Sequence, residues 1–184
     1  MSAAEVPRGG GSLAEQVDRL LSYQAIQQLA YRYALATDSR DLDTLVGLFV
    51  PDVRVGRDLT GRQALRAFFD RSLREIGRSI LQVTNHVIDF DSPDEARGVV
   101  YCRGEIEVGA EWVVQTICYL DTYARRDGAW GFVRRKHLLW YGTDMLQRPI
   151  GLPDANWPEH HTGKGVLPEE WATWRAFWAD PGTA

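Results

Sequence analysis

The spacing of apolar side chains changes once along this chain, and the change falls at Ile80. Before that point apolar residues recur about every 3.6 positions; after it they alternate. Helices first and strands afterwards, in so short a chain, predict an α+β domain whose helices cover one face of a curved antiparallel sheet. At 184 residues the chain is long enough for one well-buried core and too short for two ordinary domains.

Residues 1–11 are polar and end in three glycines, a composition that predicts a flexible leader. Ser12 with Glu15 forms a capping-box pattern, and Val17, Leu20, Leu21, Ile26, Leu29, Ala30 and Tyr33 then predict one long helix to about Thr37. Asp38-Ser39-Arg40-Asp41 interrupts it, and Leu42, Leu45, Val46 and Phe49 predict a shorter helix before Pro51. A third helix is expected from a Thr60 cap to an exit at Gly77, with Leu65, Phe68, Phe69, Leu73 and Ile76 on its apolar face. Alternation over 81–90, 97–108, 111–123 and 130–141, punctuated by Asp91-Ser92-Pro93-Asp94, Gly109 and Asp127-Gly128, predicts a four-stranded meander. The domain is expected over 12–147. Residues 148–184 are proline-rich and predict an irregular tail with a short helix near 169–177.

Charge and composition narrow the function. A net charge of −4 provides no positive field for a nucleic-acid backbone. No run approaches the roughly 18 apolar residues of a membrane span, and the first residues lack a signal peptide's apolar stretch, so a cytoplasmic protein is expected. Cys102 and Cys118 have no zinc-type pairing, which predicts reduced core thiols and no metal site.

Few residues are placed for chemistry. His86 alternates with Ile88 and Phe90, so it is expected to point inward, either as a satisfied core histidine or as a functional one. Asp38, Asp41 and Asp43 all suit helix capping, but Asp38 ends a strongly apolar helix face, where a carboxylate turned toward the sheet needs a partner. His86 is the best-placed inward histidine for that role. His137, alternating with Val133, Arg135, Leu139 and Tyr141, is a pocket or core histidine, whereas His160 and His161 read as a solvated pair. Seven tryptophans and seven tyrosines are many for one small domain; core packing explains most of them. Trp112, Tyr119, Trp140 and Tyr141 on the strands also suit a pocket for a flat polycyclic or aromatic ligand, with Tyr119 nearest to it. No Gly-x-Ser-x-Gly and no phosphate-binding glycine loop after a strand is present.

The run from Tyr31 to Asp52, then Thr84-Asn85-His86, then Tyr119-Leu120-Asp121-Thr122-Tyr123 with Asp127-Gly128-Ala129-Trp130, resembles the SnoaL-like branch of the nuclear transport factor 2-like superfamily. The resemblance covers roughly Leu20 to Tyr141. It implies a cone-shaped barrel, three helices packed into a strongly curved antiparallel sheet around an apolar pocket. In dehydratases of that superfamily a tyrosine, an aspartate and a histidine act together, a pattern that falls on Tyr33, Asp38 and His86. The implied activity is a cofactor-independent lyase or isomerase, in which an Asp38–His86 dyad removes a proton and Tyr33 stabilises developing charge. Tyr119, His137 and Trp140 are the expected substrate contacts, on a hydrophobic polyketide- or steroid-like molecule. Such chemistry needs neither metal nor nucleotide. The resemblance also implies a homodimer through the outer face of the sheet, for which Trp112, Val114 and Thr116 are the candidates, and it admits a rival function as a non-catalytic ligand-binding or scaffold protein.

Overall fold

The computed structural model describes residues 11–145, 151, 153–154, 166 and 168–180. Helix α1 runs from Leu13 to Asp38 and is opened by the expected box: Ser12 N–H donates to Glu15 Oε2 at 2.6 Å, and Glu15 N–H donates to Ser12 Oγ at 3.3 Å. Its inner face buries Ile26, Leu29, Ala30 and Ala34. The chain then reverses through Arg40, whose φ of 59° lies in the left-handed region. Asp41 caps α2 (Leu42–Gly47) by accepting from Thr44 N–H at 3.0 Å. A two-residue hairpin, β1 (Arg54–Val55) with β2 (Leu59–Thr60), precedes α3 (Arg62–Arg74).

Two local expectations are corrected here. Thr60 is drawn into β2 opposite Arg54, so α3 starts instead from Gly61, at φ 92° and without a side-chain cap. Gly77 is not a helix exit, because α3 ends at Arg74. A Cβ on Gly77 would collide with the Glu107 carboxylate, so the glycine permits a close approach between β4 and the chain entering the sheet.

Four long antiparallel strands follow in spatial order β3-β4-β5-β6: β3 Ser79–Ser92, β4 Glu95–Val108, β5 Glu111–Arg126 and β6 Ala129–Asp144. This is the expected meander. Asp127 and Gly128 turn the last hairpin at φ 51° and 79°, the positive values that a two-residue turn between twisted strands requires. The register sets side chains of the concave face in cross-strand rows. From one end these are Leu81, Gly104, Gln115 and Gly142; Val83, Cys102, Ile117 and Leu139; His86, Val100, Tyr119 and His137; Ile88, Gly98, Asp121 and Arg135; and Phe90, Ala96, Tyr123 and Phe132.

The helices fill this concavity. Tyr123, Phe132, Ile26, Leu45, Ile117 and Val100 are the largest fully enclosed side chains, and removing the Phe132 ring would cost about 3–5 kcal/mol. Phe132 also donates its N–H to Leu48 O and accepts from Val50 N–H, both at 2.9 Å, which pins the end of α2 to β6. Helix α4 (Ala172–Ala179) packs beside α2 and α3, with Trp174 and Phe177 buried and Thr173 Oγ1 donating to Ser39 O at 2.8 Å. No helix among the described residues is long and apolar enough to cross a membrane.

Candidate active site

Asp38 reaches the sheet as the sequence suggested, but it does not meet His86. Its Oδ1 accepts from Ser79 Oγ and its Oδ2 from Leu81 N–H, both at 2.9 Å. Thus the helix end is tied to the start of β3. His86 lies two rows further along, roughly 15 Å of strand at about 3.3 Å per residue. The spacing of 48 residues in sequence fixed no such contact, because it says nothing about where along β3 the helix end lands. Arg40 shares the Asp38 site: its guanidinium donates to Thr37 O at 2.5 Å, to Ser79 Oγ at 2.9 Å and to Gly77 O, and it lies 4.7 Å from the Trp174 ring. Burial pushes the Asp38 carboxyl up to about 6, against the opposing pull of Leu81 N–H, Ser79 and Arg40.

The partner of His86 is Tyr123. His86 Nε2 lies 3.0 Å from Tyr123 Oη, which donates to Asp121 Oδ2 at 2.8 Å. Asp121 in turn receives Arg135 through two bonds, Nε to Oδ1 at 2.9 Å and Nη2 to Oδ2 at 2.6 Å, with the two side chains 0% and 4% exposed. Sequence reasoning missed this pair as site residues. The signal lay in Tyr119-x-Asp121-x-Tyr123, where alternation turns a carboxylate inward with two tyrosines and so demands a buried cation. Burial holds the His86 imidazole down at about 4, with Asp121 opposing and Arg135 reinforcing that shift. The Arg135 guanidinium sits 4.4 Å from the Tyr33 ring, 4.3 Å from Tyr119 and 4.4 Å from Phe132. Its Nη1 is buried without a protein partner among the described residues.

Tyr33 is half-buried, its ring 6.0 Å from that of Tyr119, and burial raises its phenol above the ordinary range. His137 is exposed, lies 5.3 Å from Tyr119 ring to ring, and shares the row of His86. Its imidazole is lowered by burial and by Arg135. Trp140 is set apart from them. It is the extra residue of a β-bulge, 63% exposed on the convex face with its ring 6.1 Å from that of Tyr101, so it does not line the concave side. The bulges at Val133 and Trp140 also put Phe132 and Gly142, rather than Val133 and Tyr141, on the inner face with Arg135, His137 and Leu139. His160 and His161 lie outside the described residues.

A cavity of about 470 Å³ lies elsewhere, between α2, α3 and α4, with Arg40, Arg66, Arg74 and Phe177 in its wall. Chemistry is better placed on the concave face, where the buried titratable groups converge. No three His, Cys, Asp or Glu side chains gather as a metal site among the described residues.

These shifts give opposite pH signs. Folded Asp38 holds its proton more tightly than the unfolded carboxyl, so the stability linked to it is present below about 4 and lost as pH rises through about 6. Folded His86 holds a proton less tightly, so its contribution is present above about 6.5 and lost as pH falls toward about 4. His86→Gln removes only the second. Denaturant unfolding of that variant is therefore expected to gain on the parent as pH falls from about 6.5 to 4; parallel curves would mean that His86 titrates as an exposed histidine.

Residues 18–136 match the family described as SnoaL-like domain. No curated protein matches the sequence. Among solved structures, LinA is similar at 27% identity, over 72% of this chain and 95% of that one, with a TM-score of 0.63. The hexachlorocyclohexane dehydrochlorinase LinA-type3 from Novosphingobium barchaimii LL02 is similar at 26% identity, over 71% and 94%, at 0.62. A Mycobacterium tuberculosis protein of unknown function, Rv3472, is similar at 25% identity, over 65% and 77%, at 0.57.

Proposed function

Because the chain belongs to the SnoaL-like domain family, we propose that it is a cofactor-independent lyase or isomerase acting by proton transfer on a hydrophobic polycyclic or aromatic small molecule of polyketide or steroid type. One observation carries this reading. His86, half-buried on the concave face, and Asp38, buried where α1 meets β3, are displaced from their ordinary ranges in opposite directions, and His86 borders an aromatic interior that contains a desolvated guanidinium. The dehydrochlorinase neighbours are named for an elimination, the same class of reaction.

In the proposed cycle neutral His86 takes a proton from a carbon beside a carbonyl, or from a carbon next to one that bears a leaving group. The C–H electron pair becomes the enolate or the new double bond, and a leaving group departs with its own bonding pair. Tyr33 donates a hydrogen bond to the oxygen that gains charge, above the Arg135 guanidinium. Asp38, apart from His86 at the start of β3, is the second proton carrier: in its protonated form it gives a proton to the leaving group or to the second carbon. Tyr119 and His137, in the row of His86, hold the apolar body of the substrate. A panel of apolar cyclic compounds bearing hydroxyl or halide beside an acidic C–H tests the proposal. Loss of water or hydrogen halide, or uptake of deuterium from D₂O, is expected; neither from any compound, with a ligand-bound structure giving no approach to His86, would overturn it.

A second reading draws on the packing of that interior. Arg135 fills the space between Tyr33, Tyr119 and Phe132, and cavities of about 470 and 410 Å³ lie outside it, as a non-catalytic ligand-binding or scaffold protein would permit. The same panel separates the two, since a scaffold exchanges no carbon-bound proton.

Two further results are expected. Tyr33→Phe keeps the ring contacts with Phe49, Phe69 and Phe132 and deletes only the donor, so folding should hold while turnover falls by as much as about a hundred- to a thousandfold. Parental kinetics in that variant would remove Tyr33 from the site. A homodimer is expected through the convex face, but Trp112 and Val114 are only 2% and 6% exposed in the single chain and cannot present that surface. Val87, Val99, Tyr101, Leu120 and Leu138 make the exposed apolar patch instead. Sedimentation at micromolar concentration checks it; a strictly monomeric species would refute it.

A further inference from the structure

The proposed role of His86 leaves open which of its ring nitrogens is the base, and the proton count of its partners decides it. Asp121, engaged twice by Arg135, is a carboxylate with acceptors only. Tyr123 has one proton, burial keeps it on the phenol, and at 2.8 Å from Asp121 Oδ2 that proton must point at the carboxylate. The phenol oxygen then has only lone pairs to offer at its other contact, His86 Nε2 at 3.0 Å. The hydrogen bond forms only if Nε2 bears the hydrogen. Nδ1 is left with its lone pair, and it is buried with no partner among the described residues.

We infer that Tyr123, backed by Asp121, is a positioning residue that holds His86 in the Nε2–H tautomer and reserves Nδ1 as the acceptor of the substrate proton. The inference rests on the catalytic reading of His86 for the last step and on geometry alone for the rest. When Nδ1 takes the proton, the imidazolium keeps its Nε2–H bond to Tyr123, and the charge that forms is passed toward Asp121 without a second proton moving. Gly98 belongs to the same device. A Cβ there would stand 2.8 Å from Tyr123 Oη and 3.1 Å from His86 Nε2, so only glycine lets phenol and imidazole meet across β4.

The tautomer is read directly by ¹⁵N NMR of the full-length protein at neutral pH, with the His86 signals assigned by their absence in His86→Gln. A pyrrole-type Nε2 and a pyridine-type Nδ1 are expected, favoured at least about tenfold, which one hydrogen bond of about 1.4 kcal/mol supplies. Tyr123→Phe keeps the ring but removes the oxygen, so the preference should fall several-fold while the fold persists. Gly98→Ala, which pushes the phenol aside, should move the same signals in the same direction. A protonated Nδ1 in the parent would overturn the inference, as would an unchanged tautomer in Tyr123→Phe. The failure of the catalytic reading looks different: the tautomer is as stated and responds to Tyr123→Phe, yet His86→Gln turns over substrate at the parental rate.

Discussion

Asp121→Ala is expected to cost about 3–5 kcal/mol of folding stability, because it strands the Arg135 guanidinium in the interior with one partner gone. Arg135 would keep its ring contacts with Tyr33, Tyr119 and Phe132, but those cannot replace a carboxylate held by two hydrogen bonds. Against a total stability of about 5–15 kcal/mol for an ordinary domain, the loss is a large share. The double variant Asp121→Leu with Arg135→Met removes both charges and should recover most of it, since a buried pair is nearly neutral against apolar residues of similar volume. Denaturant unfolding measures both. A cost below about 1 kcal/mol for Asp121→Ala would mean that water reaches Arg135 and that the pair is not desolvated.

His86→Ala and Asp38→Ala are each expected to lower turnover by at least about a hundredfold in a folded protein, the usual loss when a general acid or base is deleted. Their pH profiles should separate the two roles. The imidazole is neutral above about 4, so a rise in activity through about 4 belongs to His86, and a fall through about 6 to the Asp38 carboxyl, which must hold its proton to supply it. Asp38→Asn should abolish the upper limb and leave the lower. Unchanged turnover in a folded His86→Ala variant would remove the proposed base; a limb near 6 that survives in Asp38→Asn would remove the carboxyl.

The order of elements was legible because burial imposes periods of 3.6 and 2 on the sequence itself: the capping box at Ser12, the break at Asp38 and the turn at Asp127-Gly128 all fall where their chemistry demands. The hairpin 54–60 was not, since two residues per strand carry no period. Individual site residues were legible as inward or outward only up to the next bulge, which is how Val133 and Tyr141 came to be grouped with His137, whereas Trp140 was expected at the pocket for its aromatic ring alone. Pairing across the molecule was less legible still. Asp38 and His86 both turn inward, but which carboxylate an inward histidine meets depends on register, and register put Asp121, two strands away in the next row, closer than the helix end.

The bulge between Val83 and His86 has a hereditary consequence. On β3, Thr84 and Asn85 together face the single residue Tyr101 on β4, so the strand is read in two frames, odd numbers inward before the bulge and even numbers after it. A gene that lost one of those two codons would yield a strand in regular alternation, with Val83, His86, Ile88 and Phe90 all still turned inward and only the local bend and extra twist lost. A codon lost elsewhere along β3, between residues that pair one to one, would instead turn every side chain on one side of the loss to the opposite face. The stretch between Val83 and His86 is thus where β3 absorbs a change of length without reversing its faces, and the rest of the strand is held to a fixed count.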